Sequence, residues 1–291
     1  MHGPVKTEAV VMRSMRFSEA DRILHLYTPA RGRVGAIAKG VRRARSRFGG
    51  RLEPFFRLSL ELHEGRGELL TVTGAETIDA YPRLRSNARC IDAAARACDA
   101  VGRLFETSEP HPGVFNLLCR ELALLDEQAG GGRPELGLAG ALAFRLKLLL
   151  AAGLAPQLAM CASCGEQEHL VGFSGAAGGV VCAACEAGSF PIEREAYGFM
   201  IQALERPLSE TPPAGTQEGT LPAGGQASER ALGQVERAIA ATLEHHAHVR
   251  LMPACLPAPA RVRPPACARQ GVLPQGGSGY PSDGRASARS G

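Results

Sequence analysis

The stretch Cys161-Ala-Ser-Cys164 is followed, after seventeen residues, by Cys182-Ala-Ala-Cys185. Two Cys-x-x-Cys pairs at this spacing are typical of one tetrahedral zinc site, because each pair forms a turn whose sulfurs point at the same ion. Gly165 suits a tight backbone after the first pair, and residues 170–181 predict a short hairpin with a Gly-rich turn. The sequence therefore predicts a structural Zn²⁺ ion held by four thiolates, in a closed site without a position for a substrate.

Two disulfides or four free thiols are the alternatives to this zinc site. The chain has nine cysteines and begins with Met1-His2-Gly3-Pro4 rather than with an apolar export signal, so we expect a reducing cytoplasm. No stretch of eighteen apolar residues occurs, so no membrane span is expected. Since the predicted metal site is closed, the function is expected elsewhere in the chain.

The charge is distributed unevenly along the sequence. Residues 1–57 contain thirteen basic and four acidic residues, so this part carries +9, whereas the whole chain of 291 residues carries +4. The remainder is therefore slightly acidic. A basic N-terminal part predicts a polyanionic partner that docks at one end of the protein.

Short alternating segments dominate the first eighty residues. Five of them, separated by Gly- and Pro-containing turns, predict strands: Lys6–Arg13, Arg22–Tyr27, Arg33–Ala38, Phe56–His63 and Leu69–Ile78. Five strands without an intervening long helix favour a small OB-type barrel.

The hydrophobic period becomes helical after residue 82. Helices are predicted at 88–107, 114–127, 136–152, from Pro191 to Leu204, and at 228–243 with Ser228 as the cap, and the third is apolar on nearly all sides and is expected at the centre of a bundle. The sequence thus predicts an α+β protein: an OB-fold domain at 1–80, then a helical domain at 81–252 with a zinc module at 158–188. Residues 207–228 predict a flexible linker, and residues 253–291 a disordered tail whose removal near Met252 leaves folding intact.

The connection between the third and fourth strands is densely basic. It contains six basic residues in thirteen and no acidic one: Lys39, Arg42, Arg43, Arg45, Arg47 and Arg51. Arginine side chains grip phosphates in a forked geometry, and glycines at 40, 49 and 50 are expected to keep the loop mobile and to let phosphates approach. We predict that this loop binds DNA, the alternative being a solvated loop without a partner.

Other residues give weaker signals. Phe48, inside the basic loop, is the best candidate for stacking on a base, although most phenylalanines here are expected in the core. Glu244-His245-His246-Ala247-His248 is interpreted as a polar helix end rather than a metal site, and Glu19 and Asp21 as surface or turn charges rather than as a catalytic pair. No catalytic motif is found, so the protein is not expected to be an enzyme.

Several of these stretches together resemble the bacterial RecO family of recombination mediators. The similarity covers about residues 5–205 and extends weakly over 228–250, and it is carried by the order and spacing of four segments: Phe17–Gly32, Lys39-Gly-Val-Arg-Arg with Leu52-Glu-Pro-Phe55, Phe144–Pro156 before the first Cys pair, and Phe173-Ser with Gly-Gly before the second. Residues 253–291, which include Cys255 and Cys267, match nothing in that pattern and are an extension or a misread frame.

The resemblance implies an OB-fold, a helical domain with a zinc module, binding of single- and double-stranded DNA, and annealing of complementary strands. It also implies partnership with RecR and with the C-terminal tail of single-stranded DNA-binding protein, an indirect role in loading RecA, and a location at the nucleoid. Two alternatives stay open from the residues alone. One is an OB-fold and zinc module that binds RNA or acts in transcription, and the other is a nuclease, which would need clustered carboxylates or an open metal site.

Overall fold

The computed structural model describes residues 4–43, 45–65, 67–134, 137–211 and 227–254. The first part is a closed five-stranded barrel in the order β1-β2-β3-β5-β4, closed by a short parallel pairing of β3 with β5. The strands are β1 (Val5–Phe17), β2 (Asp21–Thr28), β3 (Gly32–Ala38), β4 (Arg57–His63) and β5 (Leu70–Asp79). The prediction of an OB-type barrel within an α+β protein is confirmed.

The first strand is longer than the sequence indicated. It pairs with β4 over Val5–Val10 and with β2 up to Phe17, and the register shifts between Val11 and Arg13. Such a bulge bends the strand, so β1 can pair with both β2 and β4 around a small barrel. The barrel interior is filled by inward-pointing side chains such as Leu24, Leu26 and Leu60, which are fully buried.

In the described part of the chain, five α-helices follow the barrel and enclose a second core. They are α1 (Ala88–Leu104), α2 (Pro112–Ala129), α3 (Gly137–Ala151), α4 (Arg194–Glu205) and α5 (Glu229–His246). Helix α3 packs against the other four, which confirms the central position expected from its apolar sequence. Val10, Tyr27 and Phe55 of the barrel part belong to the same buried cluster as the helices, so the two parts share one packed interface. Within the described residues, no helix is long and apolar enough to cross a membrane.

Of the helix starts predicted for α4 and α5, the first differs from the structure and the second agrees with it. Pro191 lies in a short strand (Phe190–Pro191), where it pairs with Gly172, and α4 begins only at Arg194. The prediction that Pro191 opens the helix was therefore wrong, because the residue belongs to a strand that pairs with a distant segment instead. By contrast, the Ser228 side chain accepts a hydrogen bond from the Ala231 N–H, which confirms the predicted cap.

Parts of the predicted linker and tail are packed onto the body. Leu208 and Ala227, at the two ends of the predicted linker, are buried, and residues 212–226 between them lie outside the described residues. Ala254 is 1% exposed and donates its N–H to Glu236, and the Pro253 carbonyl accepts from Arg96. The tail boundary placed before residue 253 thus falls inside the folded body, and 255–291 lie outside the described residues.

These contacts change the expected effect of shortening the chain. A chain ending at Met252 loses the hydrogen bonds that Arg96 and Glu236 make to Pro253 and Ala254, and we expect it to lose about 1–3 kcal/mol of unfolding free energy. A chain ending at residue 257 keeps these contacts and is expected to melt like the full chain. Thermal unfolding followed by circular dichroism compares the three proteins. Equal melting of the chain ending at Met252 would contradict the packing role of these two residues.

Glu121 on α2 is a buried carboxyl group whose ionisation makes the stability of the fold depend on pH. Burial raises the pKa of Glu121 to about 8, against a small opposing effect of Arg133. In the unfolded chain the Glu121 carboxyl loses its proton near pH 4.3. The unfolding free energy is therefore highest below that pH and falls as the pH rises towards 8, because only the folded protein then keeps the proton. We therefore expect Glu121→Gln to gain roughly 2–4 kcal/mol relative to the wild type between pH 5 and pH 8.

Urea unfolding at both pH values measures this difference. Glu205→Gln, which removes an exposed carboxylate of α4, is the matched control and is expected to shift the comparison by less than about 0.5 kcal/mol. A variant-minus-wild-type difference for Glu121→Gln that does not change between pH 5 and pH 8 would show that the carboxyl is ionised in the folded protein.

Candidate nucleic-acid interface and metal centre

The four predicted metal ligands meet at one point. The sulfurs of Cys161, Cys164, Cys182 and Cys185 all lie within 4.8 Å of one another. Tetrahedral zinc with Zn–S bonds of about 2.3 Å requires sulfurs about 3.8 Å apart, and the Cys164 and Cys182 sulfurs are 3.6 Å apart. That separation is far longer than a disulfide bond of about 2.05 Å, and the four residues are free thiols. The donor set and its spacing therefore fit one tetrahedral metal ion.

Local backbone geometry builds this cluster. Gly165 has φ 81°, and its N–H donates to the Cys161 carbonyl at 2.9 Å, so the tight turn expected after the first pair is present. The second pair lies where β7 (Gly179–Cys182) ends, and β7 forms a hairpin with β6 (Leu170–Ser174). The predicted hairpin thus carries the second pair back to the first.

The environment of Cys161 favours a thiolate. The Cys182 N–H donates a hydrogen bond to the Cys161 sulfur. This bond is the main reason that the pKa of Cys161 is lowered to about 6, against the opposing effect of burial. Ionised sulfur is the form that binds a metal. Among the described residues, no histidine or carboxylate joins the cluster, and no other group of three or more potential ligands is found.

The metal module is docked on the helical body. The Gly175 Cα approaches α5 so closely that an added Cβ would lie 2.7 Å from Ala241, and the Gly175 carbonyl lies 2.8 Å from His246 Nε2. The Tyr197 hydroxyl of α4 donates to the Leu158 carbonyl at 2.7 Å. His246, from the predicted polar helix end, therefore contacts the hairpin, and loss of the metal module as a whole would remove these contacts from α4 and α5.

The basic loop is anchored to the barrel at its start. Asp21 accepts a hydrogen bond from the Gly40 N–H at 2.8 Å, and the Arg42 N–H donates to the Ala20 carbonyl at 3.0 Å. Both bonds tie the start of the loop to the β1–β2 turn. The anchoring role of Asp21 was missed from the sequence, although an Asp at a turn facing a glycine with φ 68° is a signal that could have indicated it.

Phe48 is part of the barrel core and is not available to a base. Its side chain is 2% exposed and lies with Leu52 in the cluster of barrel residues. The interpretation of Phe48 as a stacking residue was therefore wrong. The loop folds back so that these two apolar residues close the barrel, while the Arg47 guanidinium lies 4.7 Å from the Phe48 ring centre on the outer side.

The six cations of the loop fall into two groups. Arg42, Arg47 and Arg51 donate to the main-chain carbonyls of Glu19, Val72 and Phe48, respectively. Lys39, Arg43 and Arg45 are exposed, and no hydrogen bond or ion pair of these three side chains occurs within the described part of the chain. The structure therefore presents three unengaged cations on an anchored loop, and their binding of DNA stays a prediction.

Taken together, the closed barrel, its arginine-rich loop and the four-cysteine cluster define an α+β protein of the OB-barrel class with a candidate metal centre. Sequence comparisons identify the family within this class of proteins. Residues 1–81 match the family model described as "Recombination protein O N terminal", and residues 91–221 match "Recombination protein O C terminal". The chain belongs to the RecO family.

Curated relatives agree with the family models. The "DNA repair protein RecO" of Anaeromyxobacter sp. (strain K) is 37% identical over 253 residues, which cover 85% of this chain and 93% of that protein. The protein of the same name from Rubrobacter xylanophilus is 37% identical over 239 residues, covering 80% and 89% of the two chains. That of Bifidobacterium adolescentis is 41% identical over 182 residues, covering 61% and 72%.

Proposed function

We propose that this protein is a non-enzymatic mediator of DNA repair and recombination. It binds single- and double-stranded DNA, anneals complementary strands, and helps to load the recombinase on protein-coated single strands. The observation that carries the proposal is the anchored loop with its three exposed, unengaged cations, Lys39, Arg43 and Arg45. The names of the relatives, which describe DNA repair proteins, also support a role in DNA repair.

The loop acts on DNA through charge. Two complementary strands repel each other through their phosphates, and cations that neutralise both strands lower this repulsion while they meet. Phosphate contacts carry no sequence information, so one loop serves any pair of complementary strands. Because the loop is anchored at Asp21 and Phe48 is buried in the barrel core, the loop backbone loses little freedom on binding.

The metal in this proposal is zinc, held by Cys161, Cys164, Cys182 and Cys185. Four thiolate ligands fill its coordination sphere, so the ion supplies stability to the hairpin and takes no part in chemistry. The proposed partners, which follow from the family, are RecR and the C-terminal tail of single-stranded DNA-binding protein, with an indirect effect on RecA. The proposed location is the cytoplasm, at the nucleoid.

An equilibrium titration of the full chain tests the binding step. Single-stranded DNA, duplex DNA and single-stranded RNA of equal length are compared at several salt concentrations by fluorescence anisotropy. If about four cations meet phosphates, the log–log salt slope is expected near −3 on single-stranded DNA and near −3.6 on the duplex. Binding to RNA that is more than about tenfold tighter than to both DNA forms would instead favour an RNA-binding or transcription-associated module.

A further inference from the structure

The four-cysteine cluster is open to solvent at one corner. Of the cysteines that the structure describes, Cys164 alone is exposed. Cys161 and Cys182 are buried, and Cys185 is partly exposed. The exposed corner is wide, because residues 163–169 are all exposed. A small solute can therefore reach the Cys164 sulfur directly from water, and it meets sulfur there rather than the metal.

A second sulfur lies beside the exposed one. The Cys164 and Cys182 sulfurs are 3.6 Å apart, and a disulfide bond of about 2.05 Å requires them to approach by only about 1.5 Å. The main chain holds the two Cys-x-x-Cys turns together without help from a metal, because the Ala162 N–H donates to the Val180 carbonyl at 2.8 Å. An accessible cysteine next to a second cysteine with which it can form a disulfide is the arrangement found in redox-sensitive sites.

We propose that this cluster is a site of reversible oxidation by hydroperoxides, in which Cys164 reacts first and Cys182 completes a disulfide. The inference rests on the metal centre of the proposed function and adds a regulatory reaction to it. A cysteine bound to zinc is deprotonated, and the thiolate is the form of cysteine that attacks a peroxide. The cluster therefore keeps its sulfurs in the reactive form.

The reaction takes place in two steps. In the first step the Cys164 thiolate attacks one peroxide oxygen: an S–O bond forms, the O–O bond breaks, and hydroxide leaves. In the second step the Cys182 thiolate attacks the Cys164 sulfur: the S–S bond forms, the S–O bond breaks, and a second hydroxide leaves. The two thiolates together lose two electrons, and one hydrogen peroxide is reduced to two hydroxide ions. Only two thiolates then remain, and a four-ligand zinc site is no longer complete.

Oxidation at the cluster would be transmitted to the helical body. The Tyr197 hydroxyl of α4 donates to the Leu158 carbonyl, and His246 Nε2 of α5 lies 2.8 Å from the Gly175 carbonyl. Both carbonyls belong to the metal module. Because metal binding and folding of such a module are coupled, loss of the ion is expected to loosen these contacts and to lower the melting temperature by roughly 5 °C or more.

Hydrogen peroxide and a chromogenic zinc chelator test the proposal on the full chain. All proteins carry Cys255→Ser and Cys267→Ser, so that the two cysteines outside the described residues cannot react. We expect excess peroxide to release about one zinc ion per chain, and dithiothreitol with added zinc to restore both the zinc content and the melting temperature. Zinc that stays bound while the peroxide is present would overturn the proposal.

Peptide mapping identifies the bond that forms. Cleavage after Glu166 and Glu168 separates the first Cys pair from the second, so only a disulfide between the two pairs joins the fragments. Tandem mass spectrometry is expected to assign this bond to Cys164 and Cys182. Fragments that separate after oxidation and cleavage would contradict the proposed pairing.

Histidine variants determine which sulfur reacts first. Cys164→His lacks the accessible thiolate but keeps four ligands, since three cysteines and one histidine also form structural zinc sites. We expect it to release zinc at least about tenfold more slowly than the parent protein. Cys185→His is the matched control: it has the same ligand types, keeps the Cys164–Cys182 pair, and should release zinc within about twofold of the parent rate. Equal rates in the two variants would overturn the assignment to Cys164.

A trapping experiment replaces the histidine comparison if Cys164→His fails to hold zinc. Dimedone, which reacts with sulfenic acids, is added to the parent protein during oxidation, and the first label is expected on Cys164. A first label on another cysteine of the cluster would overturn the proposed order.

The zinc content before oxidation separates this inference from the proposed function. A chain that purifies without zinc would refute the proposed metal centre, and this inference with it. A chain that contains zinc and keeps it in peroxide would refute the inference alone and leave the structural metal centre in place.

Discussion

Replacing Cys161 with serine is expected to release the proposed zinc ion and to destabilise the helical body. The side chain is buried beside Cys182, and a hydroxyl cannot supply the thiolate that closes a four-sulfur site. In small zinc modules the metal-binding free energy is folding free energy. We therefore expect a loss of several kcal/mol and a melting temperature lower by roughly 10 °C or more, because the metal module also packs on α4 and α5.

Metal analysis and thermal unfolding together check this expectation. The wild-type chain should contain about one zinc ion, and the Cys161→Ser variant far less than that. Cys119→Ala, which removes a buried thiol outside the cluster, is the matched control: it should retain the full zinc content and melt within a few degrees of the wild type. Wild-type protein that folds stably without any bound metal would contradict the structural role of the site.

Replacing Arg43 and Arg45 together with alanine is expected to weaken DNA binding through loss of phosphate contacts. Both side chains are exposed on the anchored loop, whereas Arg47 donates to Val72 and lies over Phe48, so its removal would also disturb the loop. Two lost contacts should shallow the salt slope on single strands from about −3 to about −1.5 and reduce affinity about tenfold near 0.15 M salt. The loss should be similar for unrelated sequences, because phosphates are the target.

The control removes the same charge elsewhere. Arg194 and Arg206 are exposed at the two ends of α4, and their joint replacement with alanine should keep the wild-type slope. Both double variants should melt like the wild type, since exposed arginines contribute little to stability. A loop variant that folds normally and binds with an unchanged slope would place the DNA site on another surface.

Features that depend on local pattern were predictable from the sequence. The five strands follow from alternation, the central position of α3 from its apolar circumference, and the metal cluster from the spacing of its cysteines. In each case neighbouring residues specify the same backbone geometry, so tertiary packing confirms the local preference.

Features that depend on long-range contacts were not predictable in this way. The Arg- and Gly-rich composition around Phe48 indicated an exposed loop. The ring is buried at the end of the barrel because removing its apolar surface from water is favourable in free energy. Pro191 suits a helix start, yet it pairs with Gly172 in the hairpin sheet. Pro253 and Ala254 lie in a Pro-rich stretch, and contacts with Arg96 of α1 and Glu236 of α5 hold them in place.

Annealing of complementary DNA strands coated with single-stranded DNA-binding protein tests the central claim most directly. Pairing of dye-labelled strands is followed by energy transfer, with the wild-type chain, the Arg43/Arg45 double alanine variant and the Arg194/Arg206 control at equal concentration. The account predicts rapid pairing with the wild type and the control, and pairing slower by about tenfold or more with the loop variant. Coated strands that pair no faster with the wild-type chain than without it would contradict the account.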